Sequence, residues 1–316
     1  RRMYACERST STHKSEFGRL VLGQRPKRSV LIWQDIDVGP TAASTVLSAD
    51  LSDKLAALRE AFREMRHVVV AFSGGADSSL LAYVAASTDG VTTTAVTAVS
   101  PSLAGSEFDD CSRLAEAWNL DWVAVTTDEM EQAAYRRNDI DRCFHCKSAL
   151  MDALQPFVDS GATVVLGVNL DDLDDHRPGQ QAASEAGARF PFVEAGLSKV
   201  EIRELSRSFN LETWDKPAAA CLASRIPFGT EVTVELLSKV ERAEQVLHDL
   251  GIRSCRVRHH GEVARIEVEQ GDLQSVIDAR GHIEQRLLAL GFRYVTVDLG
   301  GFRSGSLNPH ESTTTS

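Results

Sequence analysis

The sequence predicts an α/β protein in which a parallel sheet, covered by helices on both faces, is followed by a smaller α+β domain. Short apolar runs that alternate with helical stretches predict the sheet, because strands buried on both faces are apolar at most positions. A loop rich in glycine and serine follows the first of these runs. After residue 230 the order changes to helix, strand, strand, helix, strand, which predicts a second architecture.

The elements of the first domain begin with the helix "LSDKLAALREAFREM", the strand "HVVVAF" and the helix "SSLLAYVAAS". Further strands are predicted over 92–100, 121–127 and 163–168. In the second domain we expect a helix over 235–250, strands over 254–259 and 263–269, a helix over 273–290 and a strand over 294–299. The predicted divisions are a poorly ordered extension (1–50), the first domain (51–228), the second domain (229–308) and a disordered tail (309–316).

The composition narrows the class of protein. With 316 residues, of which 43% are hydrophobic, the chain can form two cores. The 34 basic and 45 acidic residues leave a net charge of −11, which disfavours nucleic acid as a partner. The six cysteines are too few for a disulfide scaffold, and no apolar run is long enough to cross a bilayer. We therefore expect a cytoplasmic protein with free thiols and no membrane partner.

The stretch "VVVAFSGGADSSLLA" predicts a phosphate-binding loop between a strand and a helix. Two glycines let the backbone approach an anion closely, and the helix N-terminus supplies free N–H groups. The loop lacks both the Walker A ending and the spacing of a dinucleotide fingerprint, which argues against kinase-like and NAD chemistry. A tight turn with a serine cap is the alternative interpretation. The candidate ATP and pyrophosphate ligands are Ser73, Gly74, Gly75, Asp77 and Ser78.

This loop resembles the PP-loop of the N-type ATP pyrophosphatases. Further matching stretches are "RCFHCKSAL", "GVNLDDLDDHRPGQQAASEAG", "KPAAACLASRIPFGT", "VRHHGEVARIEV" and "DLGGFRSGSLN". Together they resemble the ATP-dependent sacrificial sulfur transferases of the LarE family, from about residue 51 to 308. The resemblance implies a Rossmann-like first domain of the adenine nucleotide alpha hydrolase type, and a homo-oligomer.

The same resemblance implies an activity. Members of the family adenylate carboxylates of pyridinium-3,5-biscarboxylic acid mononucleotide and convert them to thiocarboxylates, for the nickel-pincer nucleotide cofactor of lactate racemase. ATP and Mg²⁺ would be required, and Asp77 would help to organise the metal. Cys221 would attack the acyl adenylate, and cleavage of its Cβ–S bond would leave dehydroalanine. Arg225 and Lys216 would favour the reactive thiolate if the fold brings them close, whereas a buried structural cysteine is the alternative.

Two further cysteines, Cys143 and Cys146, leave the source of sulfur open. A single C-x-x-C is weak evidence for zinc, and a redox pair or two packing residues would also explain it. Together with Cys221, however, these thiolates would suffice to hold a [4Fe–4S] cluster with one open iron, which could carry an extra sulfide. The sequence does not separate this route from sacrificial chemistry.

A substrate that carries a phosphate and two carboxylates needs cations, and arginine is suited to bidentate capture. The candidates in matching stretches are Arg225, Arg256, Arg258, Arg265 and Arg303, with donors from Ser224 and Ser304. Glu244 could act as a base or orient the substrate, although the helical pattern favours a solvated face for it. An acidic loop after a strand end could reach Mg²⁺ or ribose: Asp171, Asp172, Asp174 and Asp175. His259 and His260 are interpreted as exposed turn residues.

Three other functions remain open at this point. A synthetase of the GMP or NAD type shares the PP-loop but needs no cysteine, so "ACLASR" argues against it. A tRNA-thiolating enzyme should be basic rather than acidic. A nucleotide-binding sensor would bind ATP without releasing pyrophosphate.

Overall fold

The computed structural model describes residues 47–173, 178–217 and 220–302. The first part of the chain forms α1 (Ala49–Met65), β1 (His67–Ala71), α2 (Ala76–Ala86), β2 (Thr92–Val99), α3 (Gly105–Ala117), β3 (Trp122–Thr126), α4 (Ala133–Arg136), α5 (Arg142–Asp159), β4 (Thr163–Val165), α6 (Pro178–Glu185), α7 (Pro191–Glu194) and α8 (Lys199–Ser208). The second part forms α9 (Val234–His248), β5 (Cys255–His260), β6 (Val263–Val268), α10 (Leu273–Asp278), α11 (Arg280–Ala289) and β7 (Tyr294–Val297).

The first sheet has the strand order β3-β2-β1-β4, and all of its strands are parallel. Successive side chains of β1 point to opposite faces: Val68 and Val70 pack into a core with α1, α2 and α8, and Val69 packs with α5 and α6. Helices therefore cover both faces, which explains why the strands lack polar alternation. The predicted α/β class is confirmed.

The second sheet has the order β5-β6-β7, with β5 antiparallel and β7 parallel to β6. Its Val257 and Ile266 pack against α9, α10 and α11 in a separate core. Arg256 lies opposite Glu267 in the β5–β6 register, and Arg258 lies opposite Arg265. Because side chains alternate along a strand, one face of this sheet is apolar and the other is charged. The predicted α+β character is confirmed, and the domain boundaries stay a prediction.

The prediction of a single helix over 273–290 is wrong, because the helical conformation is interrupted at Ala279. That residue has φ −88° and ψ 6°, and it separates α10 from α11. Val276 and Ile283 are both buried against the sheet, one from each helix. The apolar spacing therefore continues across the break, which is why the pattern does not reveal it.

A further apolar cluster connects the two parts of the chain. We call it the junction cluster; its buried members are Tyr135, Leu222, Ala223, Ile226, Val232, Leu237 and Val240. It joins α4, the segment that follows Cys221 and the first half of α9. Cys221 and Cys146 both pack against it. Within the described part of the chain, none of the helices combines the length and the apolar character needed to span a membrane.

Candidate active site

The predicted phosphate loop lies at the carboxyl end of β1. Gly74 has φ +67°, which other residues adopt only with strain, and a Cβ there would lie 3.1 Å from Cys111 Sγ. The backbone N–H of Ser73 donates to Ser78 Oγ at 3.2 Å, and the two serine hydroxyls are 3.1 Å apart. Gly75 precedes the first turn of α2. The turn therefore presents the free N–H groups of a helix N-terminus at the sheet edge.

Asp77, in the first turn of α2, contacts two residues that are distant in sequence. Asn169 Nδ2 donates to Asp77 Oδ1 at 3.2 Å, and Lys199 Nζ forms a salt bridge with Asp77 Oδ2. Sequence reasoning missed Asn169 and Lys199. The Ser198–Glu201 capping box does mark the start of α8, but it does not indicate which loop Lys199 reaches. The ammonium group of Lys199, at the start of α8, therefore lies beside the phosphate loop.

The acidic loop after β4 has a local structural role in the described residues. Asp171 Oδ2 accepts a hydrogen bond from the backbone N–H of Lys199, and Asp172 Oδ2 accepts one from Asn169 at 3.2 Å. These bonds hold the residues that contact Asp77. Asp174 and Asp175 lie outside the described residues, and contact of the loop with nucleotide stays a prediction.

Cys221 immediately precedes a 3₁₀ turn (Leu222–Arg225), and its side chain is half-buried. The backbone N–H of Leu222 donates to Ser102 O at 2.9 Å, in the segment between β2 and α3. Arg225 Nη1 donates to Cys221 O at 3.2 Å, so the guanidinium does lie beside this residue. Lys216 instead pairs with Glu107 at 2.8 Å and with another carboxylate of α3, Asp110, at 3.0 Å.

Two of the predicted substrate-binding arginines are engaged by buried carboxylates. Arg225 binds Glu244 through two hydrogen bonds of 2.8 and 2.9 Å, and Arg258 binds Glu267 through two of 3.0 and 2.8 Å. The interpretation of Glu244 as a solvated residue is wrong, because α9 packs it against β5, where it also accepts from Val257 N. Such pairs position the arginines and satisfy charges that would be costly to bury alone.

Arg256 differs from its neighbours. It is 5% exposed, yet it makes no hydrogen bond or ion pair with any residue that the structure describes. Its guanidinium carbon lies 4.5 Å from the centre of the Phe302 ring. Burial, together with the charges of Arg225 and Arg258, lowers the pKa of Arg256 to about 10. A buried cation that has no salt bridge within the described part of the chain favours an anionic ligand.

The remaining candidates are placed as follows. Ser224 O accepts from Arg258 at 2.9 Å, and Arg265 pairs with Glu267 at 2.8 Å. The interpretation of His259 and His260 as exposed turn residues is wrong: β5 extends to His260, and burial lowers the pKa of both imidazoles. Arg303 and Ser304 lie outside the described residues, as do positions 1–46 of the predicted extension and all of the predicted tail.

The two cysteines of α5 lie on the helix that faces Cys221. Cys143 is exposed and Cys146 is half-buried. Burial raises the pKa of Cys146 to about 12, and the charges of Cys221 and Glu129 contribute to the increase. Cys146 and Cys221 are therefore electrostatic neighbours. Among the described residues, no three His, Cys, Asp or Glu side chains converge as ligands of a single metal ion.

A glycine loop at the carboxyl ends of a parallel sheet that is covered by helices on both faces places the protein in the class of α/β proteins that bind ligands at this end of the sheet. The chain is 37% identical to pyridinium-3,5-bisthiocarboxylic acid mononucleotide synthase of Lactiplantibacillus plantarum over 263 residues, which span 82% of this chain and 95% of that protein. The protein belongs to the family of this synthase, the LarE sulfur transferases. The resemblance inferred from the sequence motifs is confirmed.

Two uncharacterized proteins are also similar to this chain. One, from Synechocystis sp., is 44% identical over 262 residues, which cover 82% of this chain and 98% of that protein. The other, from Methanocaldococcus jannaschii, is 28% identical over 249 residues, which cover 78% and 94%. No protein-family model matches the chain.

Proposed function

We propose that the protein uses ATP to adenylate a carboxylate of pyridinium-3,5-biscarboxylic acid mononucleotide and then converts it to a thiocarboxylate with sulfur from Cys221. The observation that carries this proposal is the placement of the loop and the cysteine at one edge of the sheet. Thr97 Oγ1 of β2 donates to Phe72 O, just before the loop, at 2.7 Å. Ser102, a few residues beyond β2, binds the backbone beside Cys221.

The loop residues and Lys199 account for the first half-reaction. The free N–H groups at the start of α2 bind phosphate oxygens, and Lys199 adds a positive charge at the same end. Asp77 would hold Mg²⁺, which neutralises charge on the departing pyrophosphate. Lys199 then exchanges the Asp77 carboxylate for a phosphate oxygen. Asn169 keeps the Asp77 carboxylate oriented through its hydrogen bond to Oδ1.

Cys221 carries out the second half-reaction in this proposal. Its thiolate attacks the carbonyl carbon of the acyl adenylate, and AMP leaves with the electron pair of the broken C–O bond. The thioester then loses the Cα proton of Cys221 as the Cβ–S bond breaks. Sulfur leaves with the product as a thiocarboxylate, and the residue becomes dehydroalanine.

Arg256 is the side chain best placed to bind an anionic group of the substrate. Arg225 and Arg258 already form salt bridges with Glu244 and Glu267, whereas Arg256 forms none with a carboxylate among the described residues. The substrate would supply the missing negative charge. Glu244 then serves to hold Arg225 rather than to act as a base, because Oε1 and Oε2 both accept from that guanidinium.

We expect incubation with ATP, Mg²⁺ and the biscarboxylate to release AMP and pyrophosphate and to form a thiocarboxylate. Nucleotide chromatography and mass spectrometry of the pyridinium product measure both. Release of ADP and phosphate would contradict the proposal. ATP that is bound but not cleaved would favour the nucleotide sensor, and incorporation of ammonia would favour a synthetase of the NAD or GMP type.

The three thiols also support a second route, in which an iron–sulfur cluster rather than Cys221 supplies the sulfur. Cys146 is an electrostatic neighbour of both Cys143 and Cys221, although no three ligating side chains of the described residues converge on one metal ion. A four-iron cluster accepts one thiolate on each of three irons, so its ligands need not converge on a single atom. The three thiols would be the residues that hold such a cluster. A bound cluster would supply an open iron that carries an extra sulfide.

Iron and sulfide analysis of anaerobically reconstituted protein distinguishes the two routes. If Cys143, Cys146 and Cys221 hold a cluster, we expect about four irons per chain in the wild type and a clear loss in Cys143→Ala, because one ligand is removed. Equal iron contents near zero in both proteins would leave the sacrificial route. Cys255→Ala, which removes a thiol from the second core, is the matched control.

A further inference from the structure

Asn138, in the corner between α4 and α5, holds the segment that follows Cys221. It is fully buried and has φ +59°, a conformation that asparagine tolerates better than most residues. Its Nδ2 group lies 3.2 Å from Ile226 O, 2.8 Å from Pro227 O and 3.0 Å from Thr230 O. The two N–H donors of one amide are therefore shared among three backbone carbonyls of the same segment.

Arg142, four residues further along the chain at the start of α5, extends this contact toward Cys221. Its Nη1 group donates to Ala223 O at 3.0 Å and also to Asn138 Oδ1. The backbone contributes as well: Gly229 N donates to Asn138 O at 3.1 Å. We call Asn138 and Arg142 the clamp. It binds residues 223–230 to the helix that carries Cys143 and Cys146.

The clamp is more polar than packing alone requires. Leu222 and Ile226 already pack their side chains into the junction cluster. Arg142 is 7% exposed, and no carboxylate in the described part of the chain forms a salt bridge with it. Burying a guanidinium in this way is costly, whereas apolar side chains could fill the same volume at lower cost. The hydrogen bonds of Asn138 and Arg142 fix the direction and distance of the backbone segment that they bind, which apolar packing does not do.

We propose that Asn138 and Arg142 are positioning residues for sulfur transfer, which place Cys221 against the activated carboxylate without taking part in adenylation. This inference rests on the proposed function. Within the described part of the chain, none of the clamp's hydrogen bonds involves the phosphate loop or Lys199, so we expect adenylation not to depend on it. Displacing a reacting group by about 1 Å can slow a reaction by about 100-fold, so the second half-reaction is sensitive to the clamp.

The test uses Asn138→Asp, which removes the Nδ2 donors but keeps an acceptor for Arg142 and tolerates the positive φ. The control is Asn210→Asp, since Asn210 also has positive φ but is exposed and lies after α8. We expect ATP–pyrophosphate exchange to stay within about twofold of the wild type and single-turnover thiocarboxylate formation to fall by at least about tenfold. The control should change neither rate.

A second measurement keeps the clamp testable if the proposed function is wrong. Iodoacetamide alkylation of Cys221, followed by peptide mass spectrometry, should be several-fold faster in Asn138→Asp than in the wild type, because the turn is released. Equal losses of both half-reactions, or unchanged sulfur transfer and alkylation, would overturn the inference. If Asn138→Asp does not fold, Arg142→Lys replaces it, and its single ammonium group should retain part of the sulfur-transfer rate.

Discussion

Cys221→Ala protein is expected to release AMP and pyrophosphate but to form no thiocarboxylate. The phosphate loop and Lys199 are left intact by this change, whereas the sulfur atom or cluster ligand that the second half-reaction needs is removed. The measurements are pyrophosphate release and mass spectrometry of the pyridinium product, compared with the wild type. Cys255→Ala should keep both half-reactions, because Cys255 belongs to the core of the second sheet.

The mass of the wild-type chain separates the two sulfur sources in the same experiment. On the sacrificial route each chain should lose about 34 Da, the mass of H₂S, as Cys221 becomes dehydroalanine. On the cluster route that loss should be absent, and Cys221→Ala should lose iron. A Cys221→Ala enzyme that makes thiocarboxylate at the wild-type rate would refute both assignments.

Asp77→Asn is expected to slow pyrophosphate release by about 100-fold or more, because a metal ion at the phosphates contributes several kcal/mol to the transition state. The amide keeps the size of the side chain, and Asn169 can still donate to its oxygen. Asp77 is partly exposed, so the free energy of unfolding should change by less than about 1 kcal/mol. Pyrophosphate release and thermal unfolding are the two measurements.

Asp53→Asn is the matched control for this prediction, since Asp53 is an exposed carboxylate on α1, away from the loop. It should release pyrophosphate at the wild-type rate. An Asp77→Asn enzyme of normal activity would show that Asp77 neither binds the metal nor positions the phosphates. A large loss of stability would instead indicate that the Asp77–Lys199 salt bridge is a structural contact.

The local sequence predicts the loop well because its requirements are local. Gly74 must adopt positive φ, Gly75 must precede the helix, and Ser78 must reach back to Ser73, all within six residues. The residues that contact the loop from other parts of the chain cannot be predicted from local sequence. Asn169 and Lys199 are 92 and 122 residues from Asp77, and no periodicity connects them.

The charged residues around the second sheet illustrate the same limit. Glu244, Arg256 and Arg258 have helix or strand patterns that are compatible with exposure, and Arg225 lies in a connecting segment that carries no burial signal. Only the packing of α9 against β5 decides that Glu244 is buried and engaged by Arg225 rather than by Arg256. Burial and pairing of charges depend on which surfaces meet, and this is a property of the assembled fold.

The sequence by itself determined the α/β class, the turn of the glycine-rich loop and the family, because strand periodicity, turn chemistry and motif spacing all depend on residues close together in the chain. Only the tertiary structure decided the partners of Asp77, the break between α10 and α11, and the clamp that Asn138 forms on the segment after Cys221. The reason is physical. Asn138 reaches carbonyls 88 to 92 residues away, and a backbone carbonyl carries no side-chain identity that a sequence pattern could reveal.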